Sequence, residues 1–437
     1  MAQFSIGYGT REVVFSIPDQ YAVSTIHANA VEPITNFHES ILNALHNPIN
    51  SKPFHELFHP GEKIVIIVSD ITRLAYRSCE YLPILLDELT ALGISDKDIS
   101  IVMSTGDHRK QSVAEHRLIV GETVLQRVKI YDHDCHASDL VPLSSTTRGT
   151  TVAMNRMVYE ADRVILTGGI SYHMIAGFGG GRKSICPGVC GERTIQENHG
   201  LALKARPSEI CTGNMETNPV SNDMKEVAQM INPDFLLNVI VDEHKQFIGI
   251  VAGDWHEAFV AGTKIVEKAF GVPVASKADL VIASSGGFPK DIQLYQSVKA
   301  LDNADFATVE GGNIILVSEC SDGPGPESFL QWFKYKEYAE MKQALTLTFT
   351  MPGFVALRTA EILQTKRIYL VSGLDDELVK KVGMIPVKTV SEAFESILSG
   401  GGKLRTINIM PYASMTLPIL ANCQAFDKKG LDVKWQV

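Results

Sequence analysis

The sequence predicts an α/β protein of two α/β domains with largely parallel sheets, and three observations predict it. Short β-branched runs recur along the chain, and amphipathic stretches of helical length separate them. At 437 residues the chain is also longer than one compact core readily holds. Near-continuous apolar strands alternating with helices are the pattern of parallel sheets covered on both faces.

The elements follow in order. Residues 1–19, "MAQFSIGYGTREVVFSIPD", alternate like a hairpin and lack a charged-then-apolar leader. "KIVIIVSD" (63–70), "ISIVMSTGDH" (99–108), "RVILTGGISYH" (163–173) and "FLLNVIVDE" (235–243) read as strands. "CEYLPILLDELTALG" reads as a helix between the first two. In "FGVPVASKAD" (270–279) a helix stops at Gly271 and Pro273 before a new strand series, which predicts domains over 1–270 and 276–437. The second series is "LVIASSGG" (280–287), "NIILVSECSDG" (313–323), "RIYLVSG" (367–373) and "TINIMP" (406–411). "PESFLQWFKYKEYAEMKQAL" reads as a helix within it.

Composition bounds the function. Hydrophobic content of 45% and charge of 21% are ordinary for a globular protein. A net charge of −10 argues against nucleic acid or an anionic membrane as the main partner. No apolar run reaches the ~18 residues of a membrane span. Seven scattered cysteines fit reduced thiols, hence a cytoplasmic protein. The sequence is compatible with a homo-oligomer.

Ligands of open α/β sheets bind beyond the carboxyl ends of the strands. Those ends are Asp70-Ile71-Thr72-Arg73, Gly106-Asp107-His108-Arg109 and Ser171-Tyr172-His173. In the second series they are Gly286-Gly287-Phe288-Pro289-Lys290, leading into Tyr295-Gln296 and Lys299. The expectation is one interdomain cleft lined by these groups. The densest stretch is 171–200, where Gly179-Gly180-Gly181 precede Lys183, bracketed by His173 and His199. Arg182 interrupts a Walker pattern, and the glycine spacing fails the dinucleotide fingerprint. A loop after a strand still suits contact with some other phosphate-bearing ligand.

Three other groupings read as decoys. His55-Glu56-Leu57-Phe58-His59 matches the zinc-protease pattern, but Pro60 and Gly61 stop the helix at once, so the end of a surface helix is expected. "YDHDCHASD" (131–139) is expected to be a polar loop ordering neighbouring strand ends. Cys186 and Cys190 lack a partner pair for zinc.

The residues at the strand ends suggest a reaction. Histidines titrate near neutrality, so His108 and His173 on opposite sides of a substrate suit a reaction run both ways on mirror-image molecules. Arg73 offers a fork for a carboxylate. Gln296 and Lys299, three apart on a helix, could steady an oxygen. A C–H beside a hydroxyl is a very weak acid. Removing it as hydride needs an electron sink that side chains lack, so a bound cofactor is expected at the Lys183 loop.

At this point the chain resembles the nickel-dependent lactate racemase family. The resemblance rests on "SDITR" (69–73), "GDHR" (106–109), "HMIAGFGGGRKSICPG" (173–188), "NHG" (198–200) and "GGFPKDIQLYQSVK" (286–299), which together span most of the chain. It implies an isomerase that racemises or epimerises 2-hydroxy acids. It implies a nickel-pincer nucleotide, pyridinium-3-thioamide-5-thiocarboxylic acid mononucleotide nickel, made by accessory proteins and joined to Lys183 through a thioamide. His199 then completes the nickel coordination. Asp70, Thr72, Gly177, Gly179, Gly180 and Gly181 hold phosphate and ribose. Arg73, Tyr295, Gln296 and Lys299 hold the substrate while His108 and His173 exchange protons and hydride passes through a 2-keto acid. Departures from the family pattern lie at Leu74, Asp107, Lys290 and Phe354, which stands nearest the family's tryptophan. Lys290 reads as a solvated loop lysine, with a second carboxylate or sugar hydroxyls as its other reading. The alternatives are the same chemistry on malate, phenyllactate or a sugar acid, and a non-enzymic nucleotide or metallocofactor binder.

Overall fold

The computed structural model describes residues 1–206, 208–401 and 404–420. The strands that carry the argument are β1 (Ala2–Tyr8), β2 (Arg11–Ile17), β3 (Ala22–Thr25), β4 (Ile64–Ser69), β5 (Ile99–Ser104), β6 (Lys129–Asp132), β7 (Arg163–Gly169), β8 (Phe235–Val241), β9 (Phe247–Gly253), β10 (Ala278–Ser284), β11 (Thr308–Val317), β12 (Arg367–Val371), β13 (Ile385–Val387) and β14 (Thr406–Met410). The helices are α1 (Ser78–Ala91), α2 (Glu192–Lys204), α3 (Pro219–Ile231), α4 (Glu257–Phe270), α5 (Leu294–Phe306) and α6 (Met351–Thr365). All eight expected strands form, each within its expected run or extended a few residues before it.

Two compact units divide the chain. Among the described residues, one comprises 30–269 with 342–351; the other comprises 1–29, 270–341 and the described part of 352–420. The first unit holds a six-stranded sheet in the order β9-β8-β7-β4-β5-β6. Its pairs are parallel except for the antiparallel edge strand β9. β4, "IVIIVS", is buried at its first five positions. β-branched residues with water on neither face favour a central strand. Ile66, Val68, Leu85, Met103, Phe235 and Leu237 are among the core residues that cover one face.

The second unit holds another six-stranded sheet, β13-β12-β11-β10-β14-β3, parallel throughout. The β1–β2 hairpin turns at Gly9, where φ is +57°, the left-handed conformation such tight turns demand. Ile6, Tyr8, Phe15 and Ile17 bury against Leu280, Ile315, Tyr369 and Ile409. Each such side chain contributes about 1.5–3 kcal/mol.

Two expectations are corrected here. A first domain over 1–270 fails at its start, because β1–β3 belong with the second sheet. β3 pairs with β14, Ala22 opposite Thr406, a pairing no local pattern announces. The helix expected over 326–345 is broken into Glu327–Leu330, a 3-10 turn at Gln331–Lys334, and Tyr338–Leu347. Lys334, Lys336 and Glu337 are exposed, so the stretch 334–337 has little apolar surface with which to pack as a helix. Among the described residues no helix is long and apolar enough to cross a membrane.

Candidate active site

In the first sheet β7, β4 and β5 lie side by side. Their carboxyl ends deliver His173, Asp70–Arg73 and His108 to one edge of the same sheet. Asp70 caps the 3-10 turn Ile71–Tyr76: its Oδ1 accepts the Thr72 N–H at 3.2 Å and the Thr72 hydroxyl. Its Oδ2 accepts Nδ1–H of His108. Asp70 is therefore committed to these partners, 4% exposed, rather than open to a ribose as expected. Burial alone would raise its pKa, but the bonds from His108 and Thr72, with the nearby charges, hold it below the ordinary value. The bond to Asp70 in turn raises the pKa of His108 against the opposing effect of burial. With Nδ1–H held inward, His108 presents a bare Nε2, and the side chain is 49% exposed.

His173 is set the other way. It sits on a two-residue strand, paired with Gly177 across a tight hairpin. Its Nδ1 accepts the backbone N–H groups of Ile175 and Ala176, both at 3.2 Å. A nitrogen receiving two N–H donors carries no proton, so the neutral ring holds its hydrogen on Nε2. One imidazole thus offers an acceptor and the other a donor. The polar loop at 131–139 steadies the end of β5: His133 N–H reaches Met103 O at 3.2 Å, and Thr105 Oγ1 donates to His133 O at 2.8 Å.

Lys183 lies on a 3-10 turn, Gly181–Ser184, and is partly buried. Burial, then the Arg73 and Arg182 charges, push its amine down to about 7. His199 projects from α2, only 3% exposed. Its Nδ1–H donates to Ile195 O at 2.9 Å, leaving Nε2 bare. Burial and the neighbouring Lys183 push its pKa down to about 4, so it is neutral at physiological pH. The Phe349 ring lies 6.0 Å from the imidazole. An amine in good part unprotonated near neutrality and a neutral imidazole with one bare nitrogen are the donors that the implied cofactor needs, so the residues present fit it.

The glycine loop works differently from expectation. A Cβ on Gly177 would lie 2.1 Å from Asn214 O, on Gly180 2.6 Å from Gly169 O, and on Gly181 2.5 Å from the Phe259 ring. All three have positive φ. These glycines let the loop pack on its own protein; only Gly179, whose nearest neighbour would be 3.6 Å away, leaves room beside the backbone. Gly177→Ala should cost about 2 kcal/mol or more of stability. Gly179→Ala should stay within about 0.5 kcal/mol. Urea unfolding of the two variants checks both, and equal midpoints would refute the distinction.

Arg182, read from the sequence only as a flaw in a phosphate loop, is a buried strut. Its Nη2 donates to Ala176 O at 2.9 Å and Ser221 Oγ of α3 at 2.7 Å, and its guanidinium lies 4.6 Å from the centre of the Phe259 ring of α4. Arg73 is exposed and donates to Thr72 Oγ1 at 2.9 Å. In the other unit, Tyr295, Gln296 and Lys299 lie on the first turns of α5, where Lys299 Nζ donates to Gln296 Oε1 at 3.1 Å. Phe354 is buried on α6. Lys290 is not simply solvated, since its ammonium lies against Met415 Sδ. The expected helix around His55 is a three-residue 3-10 turn, Phe54–Glu56.

Known proteins resemble the chain along nearly its whole length. The lactate racemase N-terminal domain model matches residues 8–210, and the lactate racemase C-terminal domain model matches 274–414. A lactate racemase of Thermoanaerobacterium thermosaccharolyticum is 34% identical over 423 residues, covering 94% of this chain and 98% of the relative. A lactate racemase of Lactiplantibacillus plantarum is 32% identical over 427 residues, with the same 94% and 98% coverage. Among solved structures, the lactate racemase apoprotein of T. thermosaccharolyticum matches with a TM-score of 0.87 at 31% identity, over 96% of this chain and 100% of that one. A Thermotoga maritima protein, 15% identical with a TM-score of 0.66 over 90% of this chain and 100% of that one, shares the fold.

Proposed function

Because this chain belongs to the lactate racemase family, and is on that ground an isomerase, we propose that it interconverts the enantiomers of lactate or a closely related short 2-hydroxy acid. The observation that carries the reading is the pair of oppositely set imidazoles, His108 and His173, at the carboxyl edge of one sheet. The nickel-pincer nucleotide, held by Lys183 and by His199 Nε2, supplies when bound the hydride acceptor that side chains lack.

The chain's own groups handle protons and position. His108 Nε2 accepts the substrate hydroxyl proton, and the Asp70 carboxylate steadies the imidazolium that results. His173 Nε2–H donates a hydrogen bond to the substrate oxygen. To give that oxygen its proton as the opposite enantiomer forms, and to act as its base in the reverse direction, His173 gives up its contacts to Ile175 and Ala176 N–H and takes a proton on Nδ1, so that losing Nε2–H leaves a neutral ring. Both contacts are 3.2 Å long, at the weak end of the range. Arg73 offers its guanidinium fork to the substrate carboxylate. Tyr295, Gln296 and Lys299 remain the proposed substrate contacts of the other unit.

Deuterium at C2 tests the route. Cofactor-matured protein given (2-²H)-lactate of one hand in ordinary water should yield the opposite enantiomer with its deuterium retained, because a hydride held in a closed site does not exchange. Racemisation with loss of the label to water would sink the hydride route and favour proton abstraction at carbon.

A further inference from the structure

We propose that Asp291 is a positioning residue for α5, fixing the helix face that holds the carboxylate end of a 2-hydroxy acid. The inference rests on the reading that Tyr295, Gln296 and Lys299 contact substrate. Asp291 takes no part in the proton chemistry described above, yet it is 0% exposed. A carboxylate buried to that degree is costly unless its oxygens are hydrogen-bonded. Its Oδ2 accepts the Gly9 N–H at 2.7 Å and the Glu319 N–H at 3.1 Å, while its buried Oδ1 has no hydrogen-bond partner among the described residues. One oxygen therefore joins the hairpin turn and the chain just past β11 to the loop after β10. Phe288 N–H returns a bond to Gly9 O at 2.8 Å, and Cys320 N–H one to Asp291 O at 2.9 Å.

From this clamp two loops run side by side into the helix. Asp322 N–H donates to Ile292 O at 2.9 Å, Leu294 N–H to Gly323 O at 3.3 Å, and Tyr295 N–H to Pro324 O at 3.0 Å. The first N–H groups of a helix need outside acceptors. The N-cap Gln293 makes no side-chain capping bond, so these loop carbonyls serve instead. Gly325, at φ +112°, closes the contact: a Cβ there would lie 2.5 Å from Cβ of Tyr295. Ser297 and Ser318 hydroxyls, 2.6 Å apart, fasten the next turn. The first turn of α5 thus takes its direction from residues 319–325, whose hold at the near end is the Asp291 carboxylate.

Cofactor-loaded Asp291→Ala, Asp291→Asn and Lys299→Ala proteins test this. Asp291→Ala should raise KM for lactate about tenfold or more, with kcat changed less than about threefold. It should also speed amide exchange over residues 292–300 while the covalent adduct keeps its mass. Asp291→Asn, whose amide oxygen still accepts from Gly9 and Glu319, should restore KM to within about threefold of wild type. Unchanged KM and exchange in Asp291→Ala, alongside a raised KM in Lys299→Ala, overturn the proposal and leave the substrate reading standing. An unchanged KM in Lys299→Ala overturns that reading, and the proposal with it. If the alanine variant does not fold, Asp291→Ser, too short to reach both N–H groups, is judged by the same criteria.

Discussion

Lys183→Ala protein, taken through cofactor maturation, is expected to emerge at the mass of the bare chain and to lose more than about 10⁴-fold in racemase rate. The amine is the nucleophile that a thioamide link requires. Enclosure and two neighbouring arginines, Arg73 and Arg182, bring its pKa to about 7, so a large share of it is unprotonated near neutrality. Lys183→Arg keeps the charge but not the nucleophile and should fail equally. Intact-mass measurement and chiral assay check the pair. Either variant retaining both the adduct and activity would show that the cofactor is seated elsewhere.

Asp70→Asn is expected to lower kcat about 10²-fold, within the range for disabling a positioned acid–base group, and to shift the acid limb of the pH profile downward. His108 accepts a proton only when neutral, so the rate falls as pH descends through its pKa. Asp70 holds that pKa above the ordinary value, and an amide does not, so the limb moves toward ~6.5. Stability carries the same signature. Asp70, with its pKa lowered, contributes stability that is present above its unfolded value and lost as pH falls through the folded one. His108, with its pKa raised, contributes stability that is present below its unfolded value and lost as pH rises through the folded one. The variant's deficit in Tm should therefore be largest between about pH 4 and 6.5, where both partners are charged, and should shrink at higher pH. A wild-type acid limb with an undiminished kcat would remove Asp70 from the mechanism.

How far these groups could be read in advance follows from how local their causes are. Apolar runs such as 64–69 declare a buried strand through neighbouring residues alone. Once strands are placed, the carboxyl-end rule selects Asp70, His108 and His173 without further information. The Asp70–His108 bond joins residues 38 apart, and nothing near "SDITR" names its partner. The tautomer of His173 depends on two amides folded back onto one nitrogen, a matter of dihedral angles. The glycines of 177–181 were conspicuous, but whether each faces ligand or protein depends on Asn214, Gly169 and Phe259, which only the folded chain brings close. The hairpin was legible, and the sheet it serves was not, because β3 finds β14 across nearly the entire sequence.

That last pairing, with the segment 342–351, governs the order in which the molecule can be completed during synthesis. The chain passes between its units at 29/30, 269/270, 341/342 and 351/352. The Phe349 ring lies beside His199, so the ribosome must translate some 150 further codons before that histidine acquires this neighbour. Residues 22–25, among the earliest to emerge, wait for 406–409 before they have a strand partner. A nascent chain stalled before residues 406–409 therefore exposes an unfinished edge of the second sheet, and severing the gene near codon 270 parts β1–β3 from the sheet they belong with and residues 342–351 from the first unit.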